Sequence, residues 1–95
     1  MQRLAQENID QRLEGFPDWS LIGDSMQRTF GFESFAEAMD FVQRVAELAE
    51  RHQHHPDILI RYNKVTLTTS THDAGGLTDK DFDLAREVDE FVEQV

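Results

Sequence analysis

Apolar residues recur at helical spacing through the middle of the chain, where Phe35, Ala38, Phe41, Val42, Val45, Leu48 and Ala49 fall on one side of a 3.6-residue period. Ser34-Phe35-Ala36-Glu37 at the head of this stripe has the form of a capping box, in which the Ser hydroxyl accepts from the amide three residues on and the Glu carboxylate reaches back. The pattern predicts a helix from Ser34 to about His52. Ahead of it the period changes to two: Trp19 to Ile22 and Met26 to Phe32 read as strands joined by Gly23-Asp24, a pair suited to a tight hairpin. Met26, Arg28, Phe30 and Phe32 would then share one face.

Two further strands follow the central helix, Ile58 to Tyr62 and Lys64 to Thr71, both rich in β-branched residues and separated by Asn63 at a hairpin position. Asp73-Ala74-Gly75-Gly76 breaks the pattern. Thr78 with Asp81 three residues later repeats the capping signature, and Phe82, Ala85, Val88, Phe91 and Val92 mark a closing helix. At the start, Leu4, Ile9 and Leu13 give a thinner apolar stripe that Gly15 and Pro17 terminate. The order α-β-β-α-β-β-α predicts an α+β fold, a four-stranded antiparallel sheet with helices packed on one face, in a single domain spanning residues 1–95. The other sheet face or the edge strands would stay open unless a second subunit covers them, so a homo-oligomer is expected.

Composition narrows what such a domain does. Nineteen acids against nine bases leave a formal charge of −10, the wrong sign for attraction to nucleic acid or to anionic membranes. The acids are unevenly spread: Asp57 is the only one between His54 and His72, whereas Thr78 to Val95 holds seven. There is no cysteine, hence no disulfide framework, thiolate nucleophile or Cys-ligated zinc, which suits the cytoplasm. No apolar run approaches the ~20 residues of a membrane span, and the N-terminus has no signal-peptide core.

All four histidines, His52, His54, His55 and His72, fall within 21 residues, three of them where the central helix gives way to a strand. Pro56 disfavours helical geometry at His55. Glu50, four residues before His54, would share its face on a continuous helix, and Asp81 opens the last helix just beyond the glycines. Imidazoles, which titrate near ~6.5, gathered with carboxylates around one concavity suit proton transfer near neutral pH. Each residue also has a structural role to fill: helix C-termini favour histidine, Asp81 can complete the cap with Thr78, Gly75 and Gly76 can supply backbone freedom, and Trp19, Phe30 and Phe32 suit a core.

Taken together, Glu50, His54-His55-Pro56, Tyr62, His72 and Asp81, at these spacings, resemble the signature of the pterin-4a-carbinolamine dehydratases, and the stretch YNKVTLTTSTHDAGGLTDKDFDLA is similar to that family's most recognisable segment. The resemblance extends more loosely through Trp19, Phe30, Phe32 and the helix from Ser34. It implies dehydration of 4a-hydroxytetrahydrobiopterin to quinonoid dihydropterin and water, in tetrahydrobiopterin recycling, without metal or organic cofactor. His54 and His72 would do the acid-base work, with His55 also counted among the catalytic residues and holding the pterin. Asp81 would stabilise a charged imidazole and Glu50 would support His54. Pro56, Thr71 and Asp73 complete the substrate-binding set. The resemblance further implies a homodimer or homotetramer and a functional link to an aromatic amino acid hydroxylase. Many members carry an aromatic residue two positions after the proline, where this chain has Ile58.

Two other readings compete. Some relatives of this fold act as dimerisation cofactors or assembly factors, a role for which an intact histidine set is not needed. A divalent-metal site could draw on His52, His54, His55, His72 and Glu50. The clustered histidines cannot all point at one ion from a helix end without strain, so no metal is expected.

Overall fold

The capping box at Ser34 forms in the computed structural model, which describes residues 2–93. The Glu37 amide donates to Ser34 Oγ at 3.1 Å, and the Glu37 carboxylate accepts from the amide of Glu33, one residue ahead of the cap, at 3.1 Å. With the first turn satisfied, the apolar stripe carries helix α2 from Phe35–His52, burying Ala38, Phe41, Val45, Leu48 and Ala49. Around it the chain runs α1 (Gln6–Leu13), β1 (Ser20–Ile22), β2 (Ser25–Gly31), then after α2 β3 (Asp57–Arg61), β4 (Lys64–Thr69), a 3₁₀ turn at His72–Ala74 and α3 (Asp79–Glu93). This is the expected α-β-β-α-β-β-α order.

The strands form one antiparallel sheet in the order β1-β2-β4-β3. Register decides which residues share a face: Phe30 lies opposite Val65, Arg28 opposite Leu67 and Met26 opposite Thr69, while on the outer side Ile58 faces Leu67 and Ile60 faces Val65. This face, with Leu21, meets Ile9 of α1, the buried stripe of α2, and Phe82, Leu84, Ala85 and Val88 of α3 in one core. All three helices therefore cover the same side. Arg28 is the charged exception on it, held by a 2.7 Å ion pair to Asp89 and stacked 4.3 Å over the Phe30 ring. The opposite face is polar along its centre, where Thr29 and Thr66 share a hydroxyl hydrogen bond of 2.8 Å and Gln27 donates to Thr68 at 3.0 Å. Ile22 and Leu59 stand exposed on that open face.

Element boundaries depart from the periodicity where the backbone has another partner. Helix α1 begins at Gln6 rather than Leu4, because the Leu4 amide donates to the Leu77 carbonyl and Ala5 is extended. Strand β4 ends at Thr69 rather than Thr71, since the chain turns there and Thr71 makes only an isolated bridge to Gly76. In the β3–β4 hairpin the left-handed position falls on Tyr62, at φ 53°, ahead of Asn63. The Asn63 side chain instead donates to the Phe32 carbonyl at 2.7 Å, fixing the hairpin to the start of α2.

Candidate active site

Helix α2 stops in a Schellman turn. Gln53 adopts the left-handed conformation at φ 51°, its amide donates to Glu50 O, and the His54 amide donates to Ala49 O at 3.0 Å. That reversal sends successive histidines in different directions. His54 turns inward and is 9% exposed, whereas the His55 side chain is 64% exposed.

The inward ring meets the first turn of α3, where Asp81 is fully buried and accepts four hydrogen bonds. Its Oδ1 takes His54 Nε2 at 2.6 Å and the Thr69 hydroxyl at 2.6 Å; its Oδ2 takes the Thr71 hydroxyl at 2.7 Å and the Thr78 amide at 3.0 Å. Asp81 thus completes the cap of α3 with one oxygen and anchors His54 with the other. A buried carboxylate is tolerable only when its lone pairs are filled, and here none is left over. Thr69 at the end of β4 and Thr71 just beyond it supply two of the four donors, so the sheet, the end of α2 and the start of α3 converge on one carboxylate.

His55 Nε2 bonds Glu50 Oε2 at 2.5 Å on the exposed rim. Glu50 therefore supports His55, not His54: the Schellman turn ends the helix before the four-residue spacing can bring Glu50 and His54 together. His72 begins the 3₁₀ turn directly after Thr71, exposed, and is thereby two hydrogen bonds from His54 through Thr71 and Asp81. Asp73 follows it, also exposed, and Pro56 is half-buried at the foot of β3. Ile58 lies on the helix-covered face of that edge strand, 37% exposed.

His52 belongs elsewhere: it pairs with Glu87 of α3, which also receives Arg51 Nη1 at 3.3 Å. The three neighbouring histidines thus hold three different carboxylates, and among the described residues no three His, Cys, Asp or Glu side chains converge as a metal site would require. The sequence reading missed Thr69. Its signal was the alternation Val65, Leu67, Thr69, which places a hydroxyl on the buried face, where it needs a partner.

The chain as a whole has relatives in sequence and in fold. The family profile described as pterin 4 alpha carbinolamine dehydratase matches residues 2–91. A protein of Picosynechococcus that carries the provisional name pterin-4-alpha-carbinolamine dehydratase is 53% identical over 88 residues, covering 93% of this chain and 96% of its own. A protein of Nocardia farcinica with the same provisional name is 55% identical over 89 residues, 94% of each chain. Among solved structures, the transcriptional coactivator/pterin dehydratase of Brucella melitensis superposes with a TM-score of 0.88 at 30% identity over 93% of this chain and 96% of that one. A pterin dehydratase-like RuBisCO assembly factor of the α-carboxysome shares the fold at a TM-score of 0.61 and 23% identity, over 76% and 83% of the two chains.

Proposed function

From the membership of this chain in the pterin-4-alpha-carbinolamine dehydratase family, we propose that it is a hydro-lyase acting on 4a-hydroxytetrahydrobiopterin. The reaction breaks the C4a–O bond, whose electron pair leaves on oxygen and is protonated to water. The proton on N5 passes to a base, and the N–H pair closes the C4a=N5 double bond of the quinonoid dihydropterin. An acid and a base flanking one ring carbon suffice, and positioned groups of this kind contribute ~10²- to 10⁴-fold each.

The observation that carries the reading is the buried His54–Asp81 pair, with exposed His55 next to His54 in the chain and exposed His72 next to Thr71, whose hydroxyl bonds the same carboxylate. A ring oriented by an internal carboxylate gains a proton without losing its place, because the imidazolium formed is already paired. His54 and His72 are the acid-base residues, while His55, steadied by Glu50, holds the pterin with Pro56 and Asp73 at the rim. Thr71, expected to bind substrate, has its hydroxyl bonded to Asp81, so its contribution to the pterin goes through that carboxylate. Ile58 offers an aliphatic wall where an aromatic one is usual. The exposed Ile22, Leu59 and Phe35 support a homo-oligomer, and the substrate's chemistry, a tetrahydropterin hydroxylated at C4a, fits supply by a partner hydroxylase.

The test is to generate the hydroxylated pterin in situ and follow its dehydration by absorbance, with and without protein. Acceleration that disappears in His72→Ala is the expected result. A folded wild-type protein giving no acceleration would refute the enzyme and turn attention to an assembly role.

A further inference from the structure

The hydroxyl protons around Asp81 are set by groups that can act in only one sense. The Lys80 amide donates to Thr78 Oγ1 at 3.3 Å, Thr78 Oγ1 lies 2.8 Å from Thr71 Oγ1, and Thr71 Oγ1 donates to Asp81 Oδ2 at 2.7 Å. Each threonine has one proton to give. Thr71 gives its proton to the carboxylate, so it accepts from Thr78, which in turn accepts from the amide. With Thr69 donating to Oδ1 and the Thr78 amide to Oδ2, Asp81 is an acceptor on both oxygens. His54 Nε2, 2.6 Å from Oδ1, must then carry a proton.

The other ring nitrogen follows by elimination. His54 Nδ1 has no hydrogen-bond partner among the described residues, yet none of their buried side-chain nitrogens or oxygens lacks a partner. Nδ1 is therefore at the surface, within the small exposed part of the ring.

We propose that Thr69 and Thr71 are positioning residues: by donating to Asp81 they fix the carboxylate as the acceptor that keeps neutral His54 in the Nε2–H tautomer, so that Nδ1 alone exchanges a proton with the substrate. The substrate's N5–H bond breaks as the Nδ1 lone pair takes the proton and the N–H electron pair closes the C4a=N5 bond, while the C4a–O pair leaves on oxygen and is protonated by His72; Nδ1 then releases its proton to solvent, with Nε2–H resting on Asp81 throughout. The tautomer follows from the hydrogen bonds alone; that Nδ1 serves a pterin rests on the function proposed above.

The experiment is long-range ¹H–¹⁵N correlation spectroscopy of the imidazoles in the ¹⁵N-labelled full chain, together with kinetics of Thr69→Val and Thr69→Ser. Wild type should show His54 protonated on Nε2 and bare on Nδ1 when the ring is neutral. Thr69→Val should keep that tautomer, since the carboxylate still only accepts, and lower kcat by roughly tenfold with KM within about twofold, the scale of one hydrogen bond to a charged group. Thr69→Ser should restore turnover. A wild-type His54 protonated on Nδ1 overturns the proposal, and so does a Thr69→Val variant unchanged in turnover. Should Thr69→Val not fold, the wild-type tautomer decides alone. An Nε2–H ring in a protein that does not dehydrate the pterin supports the positioning and refutes the function.

Discussion

Asp81→Asn keeps the shape of the buried side chain and exchanges one oxygen for an NH₂. The Thr78 amide, now bonded to Oδ2, can only donate, so the asparagine oxygen must stay on that side and the NH₂ must lie against Thr69 and His54. Thr69 can rotate its hydroxyl and accept. His54 can accept only by moving its proton from Nε2 to Nδ1. The number of hydrogen bonds is thus conserved while the ring is inverted, and stability falls by the difference between charge-assisted and neutral bonds, ~1 kcal/mol each. Removing a buried charge offsets part of this, leaving a net loss of ~2 kcal/mol. For a chain of this length that lowers Tm by ~8 to 16 °C. Turnover should suffer far more, by ~10³- to 10⁴-fold, because the nitrogen that must take the proton already holds one. Calorimetry and the in situ dehydration assay on the same preparation separate the two effects. A kcat within tenfold of wild type, in a variant whose Tm has dropped as expected, would refute the reasoning that His54 works through Nδ1.

Three further outcomes follow from the same contacts. His54→Ala and His72→Ala should each lower kcat by ~10²- to 10⁴-fold; thermal melts should show a loss of ~1 to 3 kcal/mol only in His54→Ala, which leaves a buried carboxylate short of a donor. His52→Ala should leave turnover within twofold, and urea unfolding should show it costs ~1 kcal/mol or less, since its pair with Glu87 is partly solvated. Phe82→Ala, which empties a fully buried position where the ring packs 5.4 Å from Phe16, should cost ~3 to 5 kcal/mol by the same measurement.

The fold was legible in the sequence wherever local chemistry and tertiary packing agree. The Ser34 box and the stripe from Ala38 to Ala49 fix α2 because the cap and the buried face belong to the same residues. Gly23, at φ 59°, turns the first hairpin as its sequence suggests. The site was legible as a set of residues but not as a set of partners. Gln53 carries no mark of a left-handed residue, as a glycine would, so the reversal that parts Glu50 from His54 is invisible until the turn is seen. Thr69 was passed over because a threonine fits any strand, although it continues the alternation of Val65 and Leu67; the register opposite Met26 places it toward the helices. Leu4 looked helical because its side chain is apolar, yet its amide belongs to Leu77 from the far end of the chain.

The turn at Gln53 also bears on how such a site can change over generations. Two adjacent histidines differ in what replacing them costs the fold: the inner one is tied into bonds that hold two helices and a strand together, so replacing it penalises folding. The outer one, with its solvated glutamate, contributes little to the folded state, and substitutions there are thermodynamically inexpensive. His55, Glu50 and Ile58 can therefore be exchanged at little cost to folding, whereas the bonds around Asp81 cannot. A descendant that abandons catalysis must repack the ground beneath Asp81, so loss of the inner histidine should arrive together with compensating changes at Thr69 and Thr71.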